Sequence, residues 1–575
     1  MPPSSTRQSA VTIERPSYIA WRFYLVLSII LLAVVGLALR VFELSILSQD
    51  FLRHQGDERV LRLVSTPAFR GMIVDRNGFP LAVSTSVYSA WINPQEFSPA
   101  RDQLDDLARL LQVKALSITS IAKNGLKKNR EFVYLKRSLS PETAAQVKSL
   151  NVPGVYLQEE YRRYYPEGEV TAQVVGITNI DDKGQEGIEL AYNEWLQGEP
   201  GKKWVVKDRI GRVISDVQTL QDQRPGRDLV LSIDRRIQYL AYRELLAGVV
   251  EKQAASGSAI VLDVKTGEIL AMVNVPSFNP NNRKGAKHES YRNRAVTDIF
   301  EPGSTVKAFT IASALESGRF KPDSIIDTSP GWMRVGHNVV KDKKNNGLLS
   351  LSQILQVSSN MGAAKLVLAM PPDQLWSVLN RVGFGEATGV GFPGEQTGML
   401  IRHNPWGSFV LATLSFGYAM SATSLQLTRA YSVLANHGVK LPVSLLKLAK
   451  PPTGKQVLDP VIAREMLILL ESVFAKGGSA HTISVPGYRV AGKTGTAKKA
   501  GQGGYEKHRY ISSFVGIAPV SDPRLVVTVV IDDPMGKDYY GALVSGPVFQ
   551  RIMSGALRLL DVPPDNESEK SDISM

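Results

Sequence analysis

The chain has 575 residues, of which 43% are hydrophobic and 8% aromatic, enough for two or more domains with substantial cores. Its net charge of +13 and pI near 9.5 come without a basic cluster interleaved with aromatics, zinc-finger spacing or a Walker loop. Nucleic-acid binding is therefore set aside in favour of acidic lipid and anionic cell-wall polymers. Cysteine is absent, which removes disulfides, and the seven scattered histidines give no metal-ligand spacing, so neither metal nor cofactor is expected.

The first predicted element is an uncharged run, residues 23–39, bounded by Arg22 and Arg40. Its apolar side chains cover every face, and its length is near the lower limit of about 17–25 residues for a spanning helix. Tyr18, Trp21 and Phe42 are placed as interface anchors. The run is longer than a signal-peptide core of about 7–15 residues and lacks an A-x-A site, so an uncleaved anchor over 23–42 is expected. Arg7, Arg15 and Arg22 face only Glu14, which predicts a cytoplasmic tail over 1–22 and export of the remainder.

Residues 60–223 read as a turn-rich segment of mixed elements. Its clearest mark is Arg70-Gly-Met-Ile-Val-Asp-Arg-Asn-Gly78 followed by Leu81-Ala-Val-Ser84. Asn77-Gly78 between apolar runs predicts a hairpin. Arg163-Tyr-Tyr-Pro166 and Gly184-Gln-Glu-Gly187-Ile-Glu189 supply arginines, a carboxylate and tight-turn glycines. Arginine–carboxylate pairing there would join this segment to the next, without a catalytic role. Pro225-Gly226 marks a boundary, opening a second domain over 226–560. A strand over 229–234, a helix over 235–250 and a hairpin turning at 263–267 are predicted next.

Ser304-Thr-Val-Lys307 follows Pro302-Gly303 and opens a helical stretch to Glu316, ending before Gly318. Residues 308–315 carry no charge, so this helix is expected to be buried. Ser304 and Lys307 share a face of its first turn. A lysine there is costly unless paired or neutral, and burial or a second cation lowers its pKa. A neutral Lys307 could take the Ser304 proton, with the helix N-terminal N–H groups aimed where oxyanion charge would develop. Ser358-Ser-Asn360 lies on a tight junction between two helical runs, 351–357 and 363–370. Its hydroxyl and amide could relay a proton and bind a substrate amide.

Lys493-Thr-Gly-Thr496 is read as closing a short strand-like run over 488–492. Thr494, Gly495 and Thr496 would offer hydroxyl and backbone groups to an extended peptide and its carboxylate, with Lys493 adding positive charge. Buried strands over 511–517 and 525–531 follow, turned by Ser521-Asp-Pro-Arg524. The early hairpin and late strands imply one sheet assembled from both ends of the domain, with helices on both faces. Residues 561–575 are polar and expected to be disordered.

Each motif alone is weak, because Ser120-Ile-Ala-Lys123, Ser444-Leu-Leu-Lys447, Ser149-Leu-Asn151, Ser277-Phe-Asn279 and Lys265-Thr-Gly267 match as well. Order and setting separate the three candidates from these. Together, Ser304-x-x-Lys307, Ser358-x-Asn360 and Lys493-Thr-Gly495 resemble the penicilloyl-serine transferase family, which carries them in this order. The resemblance extends from about residue 65 onward. It implies an α+β, β-lactamase-like penicillin-binding transpeptidase fold, an antiparallel sheet flanked by helices, behind an N-terminal pedestal domain and a single membrane helix. The Arg70 stretch is similar to the first pedestal motif of class B penicillin-binding proteins.

With Val357-Ser-Ser-Asn-Met361 and Tyr539-Tyr-Gly-Ala-Leu543, it resembles most the division-specific FtsI type. Elongation-type class B enzymes and β-lactam receptor-sensors on the same fold are the alternatives. The resemblance implies peptidoglycan D,D-transpeptidation through an acyl-enzyme on Ser304, with Lys307, Ser358, Asn360 and Lys493 catalytic and Thr494, Gly495 and Thr496 binding substrate. It further implies stem peptides as substrate, β-lactams as covalent inhibitors, and an FtsW-type glycosyltransferase and other divisome proteins as partners.

Overall fold

A computed structural model describes residues 20–51, 61–207, 213–501 and 504–566. The chain forms two compact units, one of Met1–Thr66 with Pro200–Asp222 and the other of Pro67–Glu199 with Gln223–Met575. The first unit holds helix Ala20–Phe42, continued by a π-helical turn Glu43–Leu47. No side chain of that helix is covered by protein. It is the one helix among the described residues long and apolar enough to cross a membrane. Water would be a poor solvent for such an all-round apolar surface, whereas lipid satisfies it. Arg7, Arg15 and Tyr18 lie outside the described residues. The unit also contains a three-stranded antiparallel sheet, Leu61–Thr66, Gly201–Lys207 and Val213–Gln221, with the second strand central.

In the second unit, the long strand Pro80–Ile92 organises the N-terminal part. It pairs with Ile73–Val74, Val133–Leu139 and Val155–Tyr164, all antiparallel. The hairpin expected at Asn77-Gly78 is present. Asp75 accepts from the Asn77 and Phe79 N–H groups at 2.8 Å each, and Gly78 takes φ +86°, a value suited to glycine. Ile73–Val74 in turn pairs in parallel with Leu229–Val230, so the hairpin is stitched to the entry of the following domain. The second Asp75 oxygen accepts from the Arg235 N–H at 3.1 Å, at the start of helix Arg235–Glu251.

The arginine–carboxylate pairing expected of the other two motifs is also found. Glu189 lies between Arg70 and Arg163, with 2.6 Å to each Nε, and all three side chains are almost completely enclosed. Arg70 also donates to the Glu189 and Asp182 carbonyls and to Asn193. Gly176 and Gly187 let two backbone segments touch at this point: a Cβ on Gly176 would sit 1.8 Å from the Glu186 carbonyl oxygen.

The C-terminal part is built on a five-stranded antiparallel sheet. Its strand order is Ile269–Val275, Ser256–Asp263, Leu525–Asp532, Gly504–Ala518, Ala491–Gly501. The two strands of the early hairpin thus meet the late strands, as expected from the sequence. Side-chain alternation assigns the layers. Gly257 faces Leu245 and Val249 of helix Arg235–Glu251, which packs beside Gly541–Leu559. Its neighbour Ser258 faces the opposite layer and shares a hydrogen bond with Ser424, at the start of helix Ser424–Ala435. Inside that second layer runs helix Lys307–Glu316, buried from Lys307 through Leu315.

Three sequence expectations need correction. Lys493 does not close a strand: the strand begins at Ala491 and runs on to Gly501, while Tyr488, the first residue of the expected run, instead closes a tight bridge with Val485. The helix expected from residue 305 starts as a 3-10 turn, Gly303–Val306. The tail expected to be disordered is docked at its beginning, where Asp565 accepts from the Arg489 and Ser521 N–H groups and Tyr488 donates to the Val562 carbonyl. Residues 567–575 lie outside the described residues.

Candidate active site

Three backbone devices converge here. The first is the turn carrying Ser304. Gly303 adopts φ +58° and donates its N–H to the Gly417 carbonyl, Thr305 donates to the Pro302 carbonyl, and buried Tyr431 donates to the Thr305 carbonyl. The turn is pinned against the edge strand of the sheet: a Cβ on Gly495 would meet the Pro302 oxygen and the Thr305 methyl at 3.0 Å. Ser304 is half-buried, and its hydroxyl has no hydrogen-bond partner among the described residues.

The second device is the junction between helices Leu351–Gln356 and Asn360–Leu368. Ser358 occupies it with φ +58°, a left-handed conformation uncommon for a residue with a Cβ. Asp342 holds the junction in place. One of its oxygens accepts from the Asn360 and Met361 N–H groups at 2.6 and 3.0 Å, and the other accepts from the Ser359 hydroxyl at 2.5 Å. A carboxylate at this helix start satisfies donors that have no partner inside the helix and complements the helix dipole. Sequence reading missed Asp342. It lies after a short hairpin, Trp332–Val335 with Asn338–Lys341, that no periodicity announced, and only the fold carries it to the junction.

The third device is strand Ala491–Gly501, at the edge of the sheet. Lys493 is opposite Val515, which is opposite Thr528, and Thr528 is hydrogen-bonded to Thr428 in the helical layer. Lys493 therefore points into that layer. Alternation turns Gly495 the same way and Thr496 the other way, while the Thr494 carbonyl and hydroxyl at the sheet edge stay within 3.4 and 3.5 Å of Lys493 Nζ. The Thr496 hydroxyl accepts from the Gly541 N–H at 3.0 Å, which leaves its own hydrogen free to donate.

Ser358 Oγ is where these devices meet, 3.2 Å from Lys307 Nζ and 3.1 Å from Lys493 Nζ. Lys307 also donates to the Ser358 carbonyl at 2.6 Å and to Asn360 Oδ1 at 2.7 Å. Both lysines are fully enclosed. Burial, then repulsion from Lys493 and Lys343, depresses Lys307 far below the ordinary lysine range, with Asp342 opposing. Burial, with Lys343, brings Lys493 down to about 7. Two ammonium groups around one hydroxyl are mutually unfavourable, so burial and the mutual repulsion both favour a neutral amine at Lys307. A neutral amine has two hydrogens, which its two short contacts with oxygen acceptors use. Its lone pair is then left for a hydroxyl, the arrangement a general base needs.

The structure thus joins Lys307, Ser358, Asn360 and Lys493 in one hydrogen-bonded cluster, with Ser304 on the preceding turn and Thr494, Gly495 and Thr496 along the adjacent edge. The decoy motifs lie elsewhere in the fold. Lys265-Thr-Gly267 turns the early hairpin around Asp263, and Lys447 donates to the Arg76 carbonyl. Ser120 and Lys123 are on helix Ala115–Lys127. Lys343 was also missed: its ammonium sits 3.7 Å above the ring of Tyr540, whose neighbour Tyr539 stacks on Tyr510.

A serine hydroxyl at the head of a buried helix, a neutral lysine one turn on and a sheet edge beside it define a serine acyltransferase of the β-lactamase-like class. Comparison with known proteins agrees. The model of the penicillin binding protein transpeptidase domain matches residues 257–554, and that of the penicillin-binding protein dimerisation domain matches residues 65–231. The chain is 44% identical over 557 residues to the peptidoglycan D,D-transpeptidase FtsI of Escherichia coli, covering 96% of this chain and 94% of that one. It is 42% identical over 546 residues to the probable peptidoglycan D,D-transpeptidase PbpC of Pseudomonas aeruginosa, covering 95% and 96%.

Among solved structures, a peptidoglycan synthetase from Bifidobacterium adolescentis superposes with TM-score 0.70 at 28% identity, over 88% of this chain and 98% of that one. The transpeptidase domain of Burkholderia pseudomallei penicillin-binding protein 3 gives TM-score 0.54 at 41% identity, over 58% and 98%. The chain belongs to the penicillin-binding protein transpeptidase family, and over nearly its whole length it is similar to the FtsI type.

Proposed function

We propose that this chain is a peptidoglycan D,D-transpeptidase that cross-links stem peptides during septal cell-wall synthesis and is acylated by β-lactams. The observation that carries the reading is the Ser358 hydroxyl shared by two enclosed lysines of depressed pKa, beside an unpartnered Ser304 hydroxyl. Full-length similarity to proteins named FtsI supports the septal assignment over the elongation type.

In this mechanism the Ser304 oxygen attacks the carbonyl carbon of the penultimate D-alanine while its proton passes to Lys307. The collapsing intermediate expels the terminal D-alanine, whose amine receives a proton through Ser358, and Lys493 polarises that hydroxyl. An acceptor amine then attacks the acyl-enzyme, loses its proton to the same relay and frees Ser304. Asn360 orients Lys307 and binds the substrate amide. The edge backbone at 494–496 pairs with the extended peptide, and the Thr494 and Thr496 hydroxyls take its carboxylate. The N-terminal helix anchors the protein in the inner membrane with the catalytic domain on the periplasmic side. An FtsW-type glycosyltransferase supplies the glycan strands.

Two measurements test this. Intact mass after benzylpenicillin should show one adduct, lost in Ser304→Ala. Purified protein with its glycan polymerase should cross-link stem peptides, which a receptor-sensor would not do. An adduct persisting in the variant removes Ser304 from the mechanism.

A further inference from the structure

A cavity of about 470 Å³ opens on the same face of the sheet as Lys493, further along the strands. It shares no lining residue with the Ser304–Lys307–Ser358–Lys493 cluster. Its floor is the row Ser256, Ser258, Val530 and Ile511, and its walls are the segment Arg292 to Phe300 and Lys499. The volume is in the range of small-ligand sites, about 300–1,000 Å³.

The electrostatics of the cavity are lopsided. Asp298 accepts from both Arg292, at 2.5 Å, and Arg294, at 3.1 Å, so one carboxylate faces two guanidiniums. Lys499 and Asp532 pair at 2.8 Å and cancel. One positive charge is left over. Arg294 is largely enclosed, and its Nε is buried with no hydrogen-bond partner among the described residues, a donor that costs free energy while unmet. Ser424, the first residue of the twelve-residue helix Ser424–Ala435, also lines the cavity and brings the positive end of that helix to it. Around these charges the lining mixes the hydroxyl residues Ser256, Ser258, Thr297 and Ser424 with an apolar side made by Phe300, Ile511, Val530 and the half-exposed Ile299.

We propose that this cavity is a second ligand site of the catalytic domain, and that it takes a monoanionic carboxylate with an apolar body of about dipeptide size. The carboxylate lies against the Arg294 and Arg292 guanidiniums and the helix start, and the body covers Ile299 and Phe300. A single negative charge matches the single unbalanced positive charge, whereas a phosphate dianion would leave charge uncompensated. The site stands on its own geometry and does not depend on the acyl-transfer reading.

The test uses the full chain in detergent, treated with benzylpenicillin until intact mass shows complete acylation, so that the Ser304 groove is filled. The probe is N-acetyl-D-alanyl-D-alanine, titrated by calorimetry or ligand-observed NMR. Saturable binding at millimolar concentration is expected, absent for the same dipeptide with its C-terminus amidated. Arg292→Gln with Arg294→Gln should weaken it by about tenfold or more, the effect of losing a charge-assisted contact. Ile299→Trp changes an exposed side chain and fills the mouth, so it should abolish binding while melting as wild type. That variant decides the matter if the arginine pair proves necessary for folding. Absence of saturable binding, equal binding of the amide, competition by inorganic phosphate as strong as by the dipeptide, or wild-type binding by a folded Ile299→Trp would each overturn the proposal.

Discussion

Lys307 and Lys493 reach the same hydroxyl from different elements, and their surroundings predict different failures. Lys307 has both amine hydrogens committed to carbonyl oxygens, so its remaining capacity is to accept a proton. Proton-transfer catalysis is worth about 10²–10⁴-fold, and Lys307→Ala should nearly abolish β-lactam acylation at every drug concentration. Lys493 donates to the Ser358 hydroxyl from the strand proposed to hold the substrate carboxylate, an environment that matters in ground and transition states alike. Its alanine variant should raise the half-saturating drug concentration as well as slow the step. Acylation rate measured against drug concentration separates the two, and a near-wild-type rate for Lys307→Ala would end its assignment as base.

A stability prediction follows from the same depression. Lys493 titrates at about 7 in the fold against 10.5 normally. Between those values the unfolded chain binds a proton that the native chain does not, so this group's contribution is complete above 10.5 and is lost as pH falls to about 7. The slope is up to ~1.4 kcal/mol per pH unit for one such group. Lys307, also depressed by burial, acts with the same sign. Denaturant unfolding across pH 7 to 9.5 should show stability rising with pH in wild type and rising less steeply in Lys493→Met.

At the scale of elements, the Arg70–Glu189–Arg163 triad clamps the hairpin strand, the Val155–Tyr164 strand and the short Gly187–Ala191 helix to one another. Both guanidiniums are enclosed, so Glu189→Gln would strand two charges without a counter-ion. The expected loss is about 3–5 kcal/mol, the cost of breaking a buried pair by removing one partner. A fall in the thermal midpoint of that variant, with acylation surviving below the new midpoint, is the outcome that supports a purely structural role. These elements were legible through their resemblance to pedestal motifs of class B penicillin-binding proteins, and the turn at Asn77-Gly78 through its residue types. The Asp342 hairpin was not legible, since nothing in a local window distinguishes a capping carboxylate from a solvated one.

For the molecule as a whole, the exposed apolar helix Ala20–Phe42 implies a surrounding of lipid or other membrane helices. On the proposed function the glycan strands come from another protein, and among the described residues this helix is the one long and apolar enough to meet an integral-membrane polymerase inside a bilayer. Exchanging residues 23–39 for an unrelated apolar helix should weaken co-purification with an FtsW-type glycosyltransferase and leave penicillin acylation intact. Unchanged association would place the partner surface on the soluble part.

What the sequence determined by itself is the set of parts. Hydrophobic runs specified the anchor, the buried helix after Ser304 and the late strands, because burial has to be written into consecutive side chains. Motif order singled out Ser304, Ser358 and Lys493 from equally good local matches. The tertiary structure alone decided how those parts act. Ser358 lies 51 residues beyond Lys307 and 135 before Lys493, and only the folded sheet edge and helix junction place its hydroxyl near 3 Å from both. The depressed lysine pKa values depend on that approach and on water being excluded by residues from every part of the domain. Electrostatics of this kind act through space, so no stretch of sequence carries them.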